Sequence, residues 1–392
     1  MRYLFQQLKT AIVKGDKVLL FLCLSVTAFG CLMICSTTNV WGFTRYLIIQ
    51  IVAALLGVMM YFIVSAIDMD FMNEHRNLLV GLNCFLLFLL IPFGTDNNTG
   101  NWSWLDFPFL PVQIQPAEIC KITFIIIMAS VMNSHQNKPS APLSVMHIVL
   151  HLGILAGLNM LIARDLGVTL IFVFIFIGMA YTGGVNMFWF LLAGGLLAVG
   201  TPILWPLLSD YQQNRIMILF DETIDPNGIN ERFHTLRSLR SLTGGGLTGQ
   251  GLFQGIRTQT PNALYAQHTD YIFSAIGEEL GYVGCFAVML MLVAIIIRVI
   301  WVGTRSQDYM RRMVCFGAAS ALIFQVISNV GMCIGLTPVI GLTLPFISYG
   351  GSSLVTLYTM LGLVSGVHAR PAPTSHERYI RAPLPSHPLR SN

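Results

Sequence analysis

Charge is the scarcest property of this chain. Only 10% of its 392 residues are Asp, Glu, Lys or Arg, against about 25% in an ordinary soluble domain. Hydrophobic residues make up 55%. Folded in water, such a chain would expose apolar patches far larger than a monomer tolerates. A soluble enzyme, a nucleic-acid binder and a disordered scaffold are excluded as readings of the whole chain. The formal net charge of +4 is too thin to define a partner. Paired cysteines are missing too: eight cysteines occur, all in apolar runs and none as CxxC. Free cysteine there behaves as a small hydrophobe, so neither a disulfide nor a metal site is expected. No small-residue cleavage site closes a short N-terminal apolar segment, so the first run reads as a retained span.

What the chain has is long apolar runs. Ten lie near 18–36, 46–67, 77–94, 118–133, 147–163, 166–182, 187–208, 272–302, 312–335 and 351–368. These are transmembrane-helix lengths, too long and uniform for barrel strands. The expected fold is an all-α polytopic membrane protein of about ten transmembrane helices. Placing the N-terminus in the cytoplasm puts fourteen of the 22 Lys and Arg residues on the cytoplasmic side. Most of the outer ones fall in one long loop that the positive-inside rule discounts. Both termini are then cytoplasmic.

Residues 1–370 read as one membrane domain, with an outer loop at about 209–271. Residues 371–392 are rich in Pro and Ser and read as a disordered tail. Within the loop, 231–242 spaces Phe233, Leu236, Leu239 and Leu242 as an amphipathic helix lying at the interface. The stretch TGGGLTGQGLFQG (243–255) reads as a flexible loop, with an anion-binding nest of backbone amides as the alternative. The segment 336–353 is apolar yet broken by Pro338, Gly341, Pro345, Gly350 and Gly351. Broken backbone at membrane depth must be buried in protein or line a cavity, so a re-entrant outer segment over a site is expected.

Charges within spans are expensive and mark functional candidates. Glu118 and Lys121 stand at i, i+3 behind Pro116, which suits a helix start. An ion pair that merely joins helices is as good a reading as a substrate role. Asp165, Glu278 and Glu279 complete the set, with one of the two glutamates expected to bond a neighbouring helix and the other to face a cavity. Arg298, near a cytoplasmic end, is expected to snorkel as an anchor.

Three blocks, QPAEICK (115–121), HTDYIFSAIGEELG (268–281) and GLTLPFISYGGSS (341–353), resemble in order the signature segments of the SEDS family, typified by RodA, FtsW and SpoVE. The resemblance spans about residues 10–370. It implies a ten-helix peptidoglycan glycosyltransferase of the bacterial plasma membrane, working in elongation, division or sporulation beside a class B penicillin-binding protein. It implies Asp270 as the catalytic aspartate, with Glu118, Lys121, Asp165, Arg215, Glu278, Glu279, Ser348 and Tyr349 toward substrate. The family's QPDLG reads ARDLG here, with Arg164 in place of a proline. The absence of a double arginine near GNWSWLD (100–106), together with TIDPNG (223–228), tilts the resemblance toward a RodA-like member.

The implied reaction polymerises lipid II into β-1,4 glycan with inversion, for which one general base suffices. Lys121, Arg215 or a divalent cation (Mg²⁺ or Mn²⁺) held jointly with the substrate diphosphate would stabilise the leaving group. Two rival readings stand beside it: a lipid II flippase, and a non-catalytic scaffold for a penicillin-binding protein.

Overall fold

The computed structural model describes residues 2–95, 101–106, 113–207, 213–214, 217–221, 225 and 232–370. Arg215 and the tail 371–392 lie outside the described residues. A first helix, α1 (Arg2–Lys14), precedes α2 (Lys17–Thr38), α3 (Thr44–Ser65), α4 (Met69–Glu74), α5 (Arg76–Phe88) and α6 (Leu90–Phe93). The chain continues through α7 (Pro116–Ser134), α8 (Pro142–Leu158), α9 (Leu166–Thr182) and α10 (Met187–Leu204). Beyond the outer loop's first part come α11 (Phe233–Gly245), α12 (Ile272–Arg305), α13 (Tyr309–Cys333) and α14 (Gly351–Ala369). Among the described residues eight helical stretches are long and apolar enough to cross a membrane. The shorter apolar helices α9 and α10 fill the two remaining expected runs.

Starts are written locally. Asp16, Asp165, Asn186 and Asp308 cap α2, α9, α10 and α13 by accepting main-chain N–H bonds from the first turn, and Pro116 and Pro142 open α7 and α8. The protein core is built by α7, α13 and α14, whose residues are mostly buried. By contrast α10 exposes Phe188, Leu191, Leu196, Leu197 and Ile203, a face suited to lipid.

Helix α12 is broken at Gly281, where φ is +67° and ψ −168°. The Gly-rich segment repairs the break. Gln250 and Gly251 amides donate to the Glu278 and Glu279 carbonyls, at 3.0 and 2.9 Å, and Tyr282 and Val283 amides donate back to Gly246 and Leu247, at 3.0 and 3.1 Å. Without these partners the broken turn would leave buried main-chain polar groups unsatisfied. The expectation of a flexible loop is therefore corrected: this stretch is a fitted insert, glycine-rich because it runs backbone against backbone.

Two more expectations change. Helix α11 buries Ser238, Ser241, Leu242 and Gly245, while Leu236 and Leu239 stay partly exposed. It packs on α12 through Ser238, Ser241, Gly245 and only one of its leucines, Leu242, instead of lying free at the interface. Arg298 does not snorkel. Its guanidinium makes two bonds to the buried Asp16 carboxylate, Nε to Oδ2 at 2.8 Å and Nη2 to Oδ1 at 3.0 Å, and it lies over the Trp301 ring. That pair ties the start of α2 to α12.

Candidate active site

Asp270 sits two residues before α12 begins, in a stretch of turns whose main chain is fastened from several helices. Gln267 Nε2 donates to the Thr37 and Thr258 carbonyls at 2.6 and 3.0 Å. The Tyr349 amide donates to the His268 carbonyl at 2.8 Å, and Ser348 Oγ to that of Thr269 at 2.6 Å. Asn329 Nδ2 donates to the Asp270 carbonyl at 2.8 Å. Ser348 and Tyr349 thus reach the predicted site as fasteners of the segment that carries Asp270. The Ser348 carbonyl is held in turn by Gln50 from α3 at 3.2 Å.

The carboxyl of Asp270 is treated differently from its backbone. No side chain among the described residues donates to it, and the residue is half-buried. Burial raises its pKa to about 6. Its Oδ2 lies 3.8 Å from where a Cβ on Gly341 would stand, and Gly341 has φ +68°. A side chain there would be strained and would crowd the carboxylate, which explains glycine at this point. On the other flank of the same segment, the Ile340 carbonyl abuts Gly167, two residues after Asp165. The broken segment 335–350 is therefore a wall shared by Asp270 and the Asp165 turn, as its punctuation predicts.

Asp165 is occupied. Oδ1 accepts from the Val168 amide at 3.0 Å, and Oδ2 from Ser103 Oγ at 3.0 Å and Gln115 Nε2 at 3.2 Å. Its job here is to cap α9 and hold the Ser103 and Gln115 side chains, behind an Arg164 in the left-handed region at φ 53°. Burial raises the Asp165 carboxyl, the Val168 and Ser103 bonds oppose that, and Glu118 and Lys121 act on it with opposite signs. The three charged groups therefore share one neighbourhood.

Glu118 and Lys121 form a pair at 2.7 Å with both side chains under a tenth exposed. Thr356 Oγ1 from α14 donates to the second Glu118 oxygen at 2.7 Å. The pair lines a small cleft with Gln325 of α13 and Thr356. A lone buried charge would be prohibitive, so each makes the other tolerable.

Glu278 and Glu279 are not brought to this cleft. Both are fully buried. Glu279 bonds a neighbouring helix, as expected of one of them, taking Ser36 Oγ at 2.7 and 2.6 Å, and it also accepts from Thr258 at 2.7 Å. Glu278 accepts from the Arg257 amide at 2.6 Å. The nest of amides exists, since the Phe253 amide also reaches Glu279 at 3.2 Å, but it binds the protein's own carboxylates.

A family model described as cell cycle protein, FtsW/RodA/SpoVE, matches residues 17–372. The chain belongs to that family. It is 32% identical to peptidoglycan glycosyltransferase MrdB of Escherichia coli K12 over 73% of this chain and 75% of that one. It is also 32% identical to a probable peptidoglycan glycosyltransferase FtsW of Geobacter metallireducens, over 92% and 96%. A solved structure on coordination of polymerization and crosslinking by a peptidoglycan synthase complex is similar with TM-score 0.75 and 27% identity, covering 94% and 99% of the two chains. A mutant RodA from Thermus thermophilus is similar with TM-score 0.69 and 26% identity, covering 92% and 99%.

Within this SEDS chain, two features escaped the sequence. Asn329, fully buried in α13, carries no charge and so lies outside the charged candidates of the spans; its signal in the sequence is a polar amide in an apolar run. The second is an HxxxH spacing, His147 to His151. His135 Nε2 meets His147 Nδ1 at 2.9 Å, and His151 Nδ1 bonds the His147 carbonyl at 2.9 Å. Among the described residues no three His, Cys, Asp or Glu side chains are set to hold a metal ion.

Proposed function

We infer that this multi-pass membrane protein is a peptidoglycan glycosyltransferase that polymerises lipid II in the bacterial plasma membrane, with Asp270 as general base. The observation that carries this is a carboxylate raised to about 6, bonded by no side chain among the described residues, on a backbone fastened at consecutive residues. In the step, an acceptor sugar hydroxyl gives its proton to Asp270 while its oxygen attacks C1 of the donor. The bond from C1 to the lipid diphosphate breaks and that group leaves, so α becomes β. Base catalysis of this kind contributes about 10²–10⁴ in rate.

The leaving diphosphate needs positive charge, and Lys121 is the described cation in the Glu118–Asp165 neighbourhood. A divalent cation, Mg²⁺ or Mn²⁺, fits only as a guest of the substrate diphosphate, since among the described residues no three His, Cys, Asp or Glu side chains are set to hold one; no step is assigned to it. The likeness to a synthase that couples polymerization with crosslinking supports a class B penicillin-binding protein as partner. A flippase would need free polar groups from face to face. Here Asp16 and Arg298, far along α12 from Asp270, neutralise each other, which disfavours that path.

The test is glycan synthesis from lipid II by purified protein, with and without the partner. Wild type should polymerise, and Asp270→Asn should lose activity by about 10²–10⁴ while inserting normally. Asn keeps the size and hydrogen-bonding capacity of Asp. Retention of activity within a factor of a few would return the scaffold and flippase readings.

A further inference from the structure

Three aromatic side chains converge on His268, two residues before Asp270. The His268 ring stands edge-on to Trp41 and Tyr46 at centroid separations of 6.1 and 5.1 Å, and lies 5.6 Å from Tyr349. Tyr46 and Tyr349 meet edge-on at 5.3 Å. The four come from separate places: the turn after α2, the first turn of α3, the stretch before α12 and the broken segment before α14. Trp41 remains 41% exposed, and Tyr46 and Tyr349 are only partly buried, so packing does not use up their surfaces. Burial lowers His268 to about 4, which leaves it a neutral ring at working pH.

We propose that Trp41, Tyr46 and Tyr349, gathered on His268 beside Asp270, form a stacking shelf for a pyranose ring of the acceptor glycan. The proposal rests on the glycosyltransferase reading above. Aromatic faces carry the negative part of the ring quadrupole, and the weakly positive axial C–H bonds of a pyranose lie on one face of the sugar. Such a face is matched by neutral aromatic rings. The acceptor is chosen because the hydroxyl that loses its proton must come within about 3 Å of Asp270. The ring bearing it then lies over the ground between Asp270 and His268. The competing explanation is an interfacial aromatic belt, in which Trp and Tyr set membrane depth and touch no substrate.

The full chain, purified and reconstituted, is assayed with lipid II as Trp41→Leu, Tyr46→Leu, Trp41→Phe and Tyr46→Phe. The shelf predicts apparent KM raised on the order of fivefold in the Leu variants, with kcat and the thermal unfolding midpoint nearly unchanged and the Phe variants close to wild type. A belt predicts lower yield or thermal stability with KM unmoved. Unmoved KM in both Leu variants overturns the shelf while a normal wild type preserves the activity reading. Should wild type not polymerise, the activity reading fails by itself. Tryptophan fluorescence titration with a β-1,4-linked N-acetylglucosamine tetramer then decides the shelf: a response lost in Trp41→Leu supports it, and equal or absent responses overturn it.

Discussion

Asn329 gives the two hydrogens of one side-chain amide to two separate pieces of the site, the Asp270 carbonyl at 2.8 Å and the Leu342 carbonyl at 2.7 Å. The first piece carries the proposed base. The second is next to Gly341, whose backbone faces the carboxylate. A single buried amide from α13 thus sets the spacing between the base and the wall opposite it.

Asn329→Asp keeps the shape and removes both donors. Each orphaned carbonyl costs about 1–3 kcal/mol, and misplacing a catalytic group by about an ångström can cost on the order of a hundredfold in rate. The expected result is a folded protein with a reduced unfolding midpoint and kcat down on the order of a hundredfold. Full activity would show that the junction is held well enough by Ser348 and Tyr349.

The pH profile follows from the raised Asp270 carboxyl at about 6. A base acts only when deprotonated, so its competent fraction falls about tenfold per pH unit below the pKa. Polymerisation at subsaturating lipid II should be flat above about pH 7 and fall with unit slope below about pH 6. A profile level down to about pH 5 would contradict a base raised to about 6.

Lys121→Met should lower activity strongly, and it should also destabilise by about 3–5 kcal/mol because Glu118 is left as an unpaired buried charge. Adding Glu118→Gln should recover most of the stability but none of the activity. Lys121→Arg should rescue in part, since a guanidinium has another size and donor geometry. Recovery of activity in the double variant would reduce the pair to a joint between helices.

Orientation is open to labelling. Leu247 and Ile256 are 73% and 71% exposed, whereas Thr258 in the same loop is fully buried. Cysteines at Leu247 or Ile256 should react with an impermeant thiol reagent outside intact cells, above the level of the parent protein. Reaction only after lysis would invert the topology and move Asp270 to the wrong face.

The apolar runs, the helix start at Pro116 and the break before α14 were legible in the sequence. Length, hydropathy and proline or glycine placement act locally, and a bilayer leaves the backbone few alternatives to helix. Glu118 and Lys121 were readable as a pair for the same reason, being one helical turn apart. What the sequence alone could not assign was which polar groups are spent on each other. Asp16 meets Arg298 across 282 positions, Ser36 meets Glu279 across 243, and Asn329 meets Asp270 across 59. Composition gave Glu278, Glu279 and Asp270 equal standing as acids near one helix. Tertiary packing separated them, because the Phe253 and Arg257 amides reach the two glutamates and no side chain among the described residues donates to the Asp270 carboxylate. An acid whose partners are distant in sequence can be recognised as free only once the chain has closed around it.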